Sequence, residues 1–398
     1  MSVRLDGAIG KNFCYAPWTN IHITTNGSYQ TCCGANTNIG NLRKIPITEL
    51  IQSNVLTDIK HNLVNNQTDS NCKNCLIAEN FSNNSERTWY NDIAESKSLN
   101  VTNIGDFYLQ NLDIRWSNTC NLSCVYCNQT SSSQWAMLDK KPQERIDYTD
   151  TISDIVNFIK QHNSTLKNIA LLGGEPLLQK ENELLLDLVS NDVHINVITN
   201  LSVPLENNKI FKKLLLKEKV MWDVSFETVE DQFDYVRHGS SWALMYKNLK
   251  YLQEAVADKP NHRIGITSQY CIYNALDLVK LHEYFKDYNL PDMRWNQLTS
   301  PDVLSVSLLP NKYLKQAIDQ LEKSIKFHPG QATEQNPSED PIDHVNGKFL
   351  SDMANSLRSI QSAKLNTDYL YSWHQIQETK YWPTFPLKFE QLWPEYRE

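Results

Sequence analysis

Six strand-like segments alternate with helical ones through the middle of this 398-residue chain, and that order restricts the fold more than any single motif. The strand signals are YLQNLDIRW (108–116), KNIALLGG (167–174), HINVITN (194–200), VMWDVSFE (220–227), RIGITSQYCI (263–272) and MRWNQL (293–298). Between them TISDIVNFIKQH, ENELLLDLVS, IFKKLLLKEK, WALMYKNLKYLQEAVA and ALDLVKLHEYFKDY carry a helical period. Strands separated by helices pair in parallel, and right-handed crossovers curl the sheet they form. Eight such units close a barrel, and six leave it open. The expected fold class is α/β, a partial (β/α)6 TIM-like barrel over residues 101–310.

The flanks have a different texture. Residues 1–100 are rich in Asn, Thr and Ser, and NIHITTNGSYQTCC alternates about an Asn-Gly pair, the signal of a hairpin. ITELIQSNVLTDIKHNLV follows as one helical stretch, so a small N-terminal cysteine-rich α+β module is expected. Beyond the last strand, NKYLKQAIDQLEKSIKF opens a helical C-terminal extension (311–398), and 327–341 reads as a loop. The final aromatics (YLYSWHQ, KYWPTFP, LWPEY) are expected to pack back onto the body.

Nine cysteines are the second constraint. The start, MSVRLDGAIGKNF, lacks the apolar core of a signal peptide, and no apolar run nears the roughly 18 residues of a membrane span. A cytoplasmic chain keeps its thiols reduced, which points to metal or reactive thiols rather than disulfides. The formal charge of −8, without a long basic run, makes nucleic acid an unlikely partner. Cys120, Cys124 and Cys127 form C-x3-C-x2-C directly after the first barrel strand, on the face where barrel active sites lie. Three thiolates on one loop can hold three corners of a [4Fe–4S] cube and leave one iron open for chemistry. A zinc knuckle lacking a ligand is the plainer alternative, though His22, His61 and His162 have no ligand-like spacing to this loop.

Cys14 and Cys32 frame C-x12-G-x4-C across the hairpin with Gly27 at its turn, and Cys72 and Cys75 make a C-x2-C. Four thiolates suit one metal centre, and by spacing alone a zinc ribbon fits as well as an iron–sulfur cluster. Cys33 and Cys271 are left over. Cys271, near the end of the fifth strand, is either a packing residue or a catalytic hydrogen donor facing the barrel mouth.

C-x3-C-x-aromatic-C after a strand, here with Tyr126, followed by Gly173-Gly174-Glu175-Pro176 at the next strand's end, resembles the radical S-adenosylmethionine (SAM) superfamily. Alone, a Gly-Gly pair is a turn that lets backbone approach backbone. The resemblance implies that SAM chelates the open iron of the Cys120, Cys124 and Cys127 cluster. Reductive cleavage then gives a 5′-deoxyadenosyl radical that abstracts hydrogen from a C–H bond. It implies that Gly173, Gly174 and Glu175 take the methionine amino group and that Tyr126 contacts the adenine. Asn200 and Ser225 sit where relatives hold ribose or carboxylate, and Glu227 stands where many relatives carry Asp. Arg237 lies where relatives often have an arginine; a guanidinium suits a carboxylate, and a surface helix-cap charge is the plain alternative.

The N-terminal cysteines resemble the twitch module, the shortened relative of the SPASM domain, which implies an auxiliary [4Fe–4S] cluster on Cys14, Cys32, Cys72 and Cys75. In most relatives this module follows the barrel, whereas here it precedes it. The spacing favours Cys32 over Cys33 as ligand. Residues 10–300 carry the likeness, and it implies an oxidoreductase or maturase with a flavodoxin- or ferredoxin-type reductant. The implied substrate is a peptide or a small molecule such as a sugar, aminocyclitol or nucleotide. A non-enzymatic zinc-binding scaffold is the competing class.

Overall fold

A computed structural model describes residues 10–35, 37–67, 69–79, 85–96, 103–142, 149–287, 292–298, 300–325, 341–359 and 367–397. Its centre is a nine-stranded sheet in the order β3-β2-β1-β4-β5-β6-β7-β8-β9. The six expected strands are β4 (Asn111–Ile114), β5 (Asn168–Leu171), β6 (His194–Thr199), β7 (Lys219–Ser225), β8 (His262–Tyr270) and β9 (Asp292–Gln297). Each lies parallel to the next. Among the described residues β3 and β9 do not pair, so the sheet is open.

The N-terminal hairpin is present but does not form a body apart. β1 (Asn20–Ile23) and β2 (Ser28–Gln30) pair antiparallel, and β3 (Gly40–Asn41) pairs with β2. β1 then lies parallel to β4, from Asn20 opposite Asn111 to Ile23 opposite Ile114, and so extends the barrel sheet. All four residues of β1 are buried, as in strands covered on both faces, and β4 would otherwise present an open edge. Beyond β4 itself, Tyr108 N donates to Trp18 O at 2.8 Å and Arg115 N to Ile23 O at 3.0 Å.

Helices lie where the period placed them, with one break. α1 (Ala16–Thr19) precedes the hairpin, and ITELIQSNVLTDIKHNLV splits into α2 (Ile47–Leu50) and α3 (Asn54–Val64). Ser53 causes the split: its backbone is extended and its hydroxyl caps α3 by accepting Leu56 N at 3.3 Å. α4 (Lys73–Glu79) and α5 (Glu86–Ser96) complete the module, and α6 (Ser133–Leu138) follows the three-cysteine loop. α7 (Thr149–His162), α8 (Glu181–Leu188), α9 (Lys209–Leu214), α11 (Trp242–Val256) and α12 (Leu278–Asp287) are the crossover helices, with a short α10 (Glu230–Val236) before α11. α13 (Asn311–Ser324), α14 (Pro341–Arg358), α15 (Thr367–Tyr381) and α16 (Phe389–Leu392) form the extension. The expected loop at 327–341 lies outside the described residues except for Pro341, which opens α14. None of the helices, as far as they are described, is long and apolar enough to cross a membrane.

One sheet face joins the hydrophobic core through residues such as Ile114, Leu171, Val197 and Trp222. The alternate residues include polar ones, His22, Asp113, Asn196, Asp223 and Arg294. His22 Nδ1 lies 2.7 Å from Asp113 Oδ2, and Arg294 Nη1 donates to Asp223 Oδ2 at 3.0 Å.

The aromatic tail packs back as expected. The Phe389 ring stacks on His374 at 3.6 Å, and Trp393 lies 4.9 Å from Tyr273 while its Nε1 donates to Tyr273 O at 3.2 Å. Tyr396 OH reaches Ile272 O at 2.6 Å, tying the end of the extension to the end of β8. Trp393 is about as buried as any side chain in the protein, so Trp393→Ala is expected to lower stability by about 3–5 kcal/mol, read as a fall in the melting temperature of the full chain.

Candidate functional site

The three-cysteine loop is docked onto the Gly173–Gly174 turn. Both glycines have positive φ, +80° and +53°. A Cβ on Gly174 would overlap Thr119 O and lie 2.7 Å from Thr119 C; one on Gly173 would lie 2.6 Å from Arg115 Cβ. Glu175 N donates to Thr119 O at 2.7 Å across this contact. The glycine pair thus serves as a backbone-to-backbone turn, and the backbone it admits is the start of the cysteine loop.

Side chains outside the motif hold the rest of the loop. Ser133 Oγ accepts Cys120 N at 3.0 Å, Ser132 Oγ donates to Leu122 O at 2.6 Å, and Trp135 Nε1 donates to Cys124 O at 2.9 Å. On the other side Ser123 N and Val125 N donate to His238 O and Val236 O, each at 2.9 Å. Asn121 Nδ2 donates to Ser202 O at 2.9 Å. Trp382 from the extension packs on both Trp135 and His238, at 5.7 and 4.6 Å between rings. The C-terminal extension therefore braces the cysteine loop, which nothing in its sequence announced.

The thiols are crowded. Burial, then the neighbouring Cys124, pushes Cys120 up, and the same two causes push Cys127 up to about 12. Asn200 Nδ2 approaches Cys120 Sγ at 3.8 Å, and Leu122 N donates to it at 3.4 Å. Such N–H···S contacts favour the thiolate, the form in which a cysteine binds metal.

Of the other expected SAM contacts, Glu175 is fully buried. Its carboxylate accepts Thr199 Oγ1 at 2.7 Å, Asn200 N at 2.8 Å and Leu177 N at 3.1 Å. It therefore fastens the end of β5 to the end of β6. Burial outweighs these donors and pushes it up to about 7. Ser225 ends β7 half-buried. Tyr126, also half-buried, faces the Arg237 guanidinium at 5.4 Å.

Arg237 ends α10 but is no surface cap, because it is buried. Its Nε and Nη2 donate to Glu227 Oε2 and Oε1 at 2.9 and 2.8 Å, and its Nη1 lies 3.9 Å from Cys124 Sγ. Glu227, the longer arm where relatives carry Asp, is the partner of this arginine. Cys271 does not open to the mouth: its thiol is fully buried, and burial followed by Glu227 raises it.

The N-terminal thiols also converge. Burial and then Cys32, with Cys72 and Cys75, raise Cys14; burial and then Cys75 push Cys32 up to about 12. Cys14 precedes α1 and accepts Ala16 N at 3.4 Å, while Cys72 and Cys75 straddle the turn into α4. Asn71 joins the two halves, through Thr31 Oγ1 at 3.2 Å and Thr37 N at 2.6 Å. Cys33, next to Cys32, is exposed. Among the described residues no three Cys, His, Asp or Glu side chains are drawn tightly enough to share a single ion.

The profile of the Radical SAM superfamily matches residues 114–267, from the end of β4 into β8. The chain carries a radical SAM domain over these residues. A second profile, the SPASM iron–sulfur cluster-binding domain, matches residues 14–76 and includes all four N-terminal cysteines. These domains imply SAM, a [4Fe–4S] cluster and an auxiliary iron–sulfur centre, and thiols are the ligands such clusters take. Among curated proteins, 7-carboxy-7-deazaguanine synthase of Clostridium acetobutylicum is 40% identical over 96 residues, 23% of this chain and 38% of that one. Of solved structures, native anSMEcpe with bound AdoMet is 17% identical at a TM-score of 0.40, over 55% of this chain and 62% of that one. Streptococcus suis SuiB bound to precursor peptide SuiA is 15% identical at a TM-score of 0.41, over 70% of this chain and 60% of that one. The chain thus spans less than two thirds of each.

Gly174→Ala is expected to cost about 1–2 kcal/mol in backbone conformation alone and to displace Thr119, read as lost iron after anaerobic reconstitution. In the cofactor-free chain Glu175 keeps its proton to about pH 7, against the ordinary 4.5. The native state then holds more protons than the unfolded chain, so stability falls as pH rises between those values. Glu175→Gln should flatten that slope in melting curves taken across the window.

Proposed function

We propose that this radical SAM enzyme abstracts hydrogen from a C–H bond of a peptide. The observation that carries the reading is the three-thiol loop seated on the glycine turn beside an open, polar-faced sheet. Cys120, Cys124 and Cys127 would hold the SAM cluster, and Cys14, Cys32, Cys72 and Cys75 an auxiliary [4Fe–4S] cluster for electron transfer. When bound and reduced, the SAM cluster supplies the electron that splits the S–C5′ bond of SAM, releasing methionine and a 5′-deoxyadenosyl radical. Gly173, Gly174 and Glu175 would receive the methionine amino group, Tyr126 the adenine, and Asn200 and Ser225 the ribose or carboxylate. Trp135, His238 and Trp382 pack together beside the loop and brace it. The electron donor would be of flavodoxin or ferredoxin type, and the three-part division at residues 100 and 310 belongs to the same reading.

Peptide is preferred because, among the described residues, the sheet ends at β3 and β9 without closing, an arrangement that would admit an extended chain more readily than a closed barrel. A small molecule is the second reading, favoured by the 40% identical stretch shared with a deazaguanine synthase.

Replacing Cys120, Cys124 and Cys127 by Ala is expected to abolish 5′-deoxyadenosine formation from SAM and reductant. Replacing the four N-terminal cysteines is expected to remove roughly half of about eight irons per chain while SAM cleavage persists. Retained 5′-deoxyadenosine in the first variant would overturn the reading. Deuterium transfer into 5′-deoxyadenosine from labelled peptides, against labelled metabolites, decides the substrate class.

A further inference from the structure

The Glu227–Arg237 pair asks for an explanation that stability does not supply. Glu227 is fully buried and the Arg237 side chain is 7% exposed. A buried ion pair rarely outperforms a well-packed apolar pair of the same size, because desolvating two charges offsets their attraction. Its geometry is also too specific for a filler. Glu227 takes both nitrogens of one guanidinium edge, at 2.9 and 2.8 Å. That leaves Arg237 Nη1 as the one nitrogen aimed elsewhere, 3.9 Å from Cys124 Sγ. The carboxylate is held in turn by Gln269 N, which reaches Oε1 at 3.5 Å, and the backbone of Glu227 by Asn274 Nδ2, which donates to its carbonyl at 3.3 Å. Tyr126 covers the guanidinium face, so water does not screen the charge.

With its Nε–Nη2 edge occupied, Arg237 has only Nη1 and the outer N–H of Nη2 left to donate. What it offers is a fixed positive charge and one N–H toward the sulfur of Cys124. Hydrogen bonds to ligand sulfurs and nearby charge are the protein's means of setting an iron–sulfur potential. In a buried site each charge acts at short range and low dielectric.

We infer that Arg237 and Glu227 are positioning residues that set the reduction potential of the cluster on the Cys120, Cys124 and Cys127 loop, Arg237 raising it through Cys124 and Glu227 holding it down. This rests on the radical SAM reading of that loop. Its distinguishing consequence is opposite signs. Losing the cation leaves more negative charge at Cys124 and makes the cluster harder to reduce. Losing the carboxylate makes it easier.

The test uses the full chain, reconstituted anaerobically, as wild type, Arg237→Gln and Glu227→Gln. The reduced fraction of the SAM-responsive cluster is followed by electron paramagnetic resonance in a redox titration, and SAM affinity is measured on the same samples. At a fixed potential near the wild-type midpoint, Glu227→Gln is expected to raise the reduced-to-oxidised ratio about tenfold, or about 59 mV for one electron, and Arg237→Gln to lower it about as much. Shifts of the same sign, or none in either variant, overturn the inference. So does weakened SAM binding in Arg237→Gln at an unchanged potential, which would make the arginine a SAM ligand. If Arg237→Gln holds no iron, Glu227→Gln decides alone, an upward shift supporting the inference and any other result overturning it. A wild-type chain with no SAM-responsive signal would instead remove the reading of the loop.

Discussion

The carbonyl of Thr119 occupies the space that a side chain on Gly174 would need, and Glu175 N bonds to that same oxygen. Much else hangs on this contact. It brings the first turn of the cysteine loop against the end of β5, while Glu175 binds the end of β6. Asn200, the residue Glu175 grips, reaches back to Asn121 Oδ1 at 2.9 Å and to the Cys120 sulfur. Three consecutive strand ends and the loop therefore form one closed circuit of hydrogen bonds. Any residue larger than hydrogen at position 174 opens it at its narrowest point.

Two further supports come from distant sequence. The end of α10 and the turn after it lend backbone acceptors at Val236 and His238, and the C-terminal extension presses Trp382 on His238 and Trp135. The loop is thus held by barrel, connecting helix and tail together. This suits a site whose thiols repel one another until a positively charged group joins them.

Much of this was legible in the sequence because it is local. Strand and helix periods change the pattern within a few residues, so the six β/α units appear where the alternation placed them. The cysteine spacing and the lone glycine pair carry their chemistry in short words. Tertiary pairings left no such trace. Arg237 stood out, but its partner Glu227 showed only as a longer arm in an unexpected place, because an ion pair ten residues apart across a strand-to-helix turn has no local signature. Asn71 joins the halves of the N-terminal thiol group by reaching Thr31, forty residues away, and reads in sequence as one polar residue among many. The Ser53 break was legible in principle, since a serine three residues before Leu56 is an ordinary cap signal that the longer apolar period hid.

β1 meets β4 with His22 opposite Asp113, so the hairpin's sheet partner arrives 91 residues later in the chain. Closing so long a loop carries an entropic cost that no local contact offsets. During synthesis the N-terminal thiol group therefore emerges well before the strand that seals its flank against the barrel. For that interval β1 is a hairpin strand with one bare edge, open to a stray strand. The order of translation thus becomes an order of assembly: the hairpin is made first, and the barrel's first strand pairs with its open edge later.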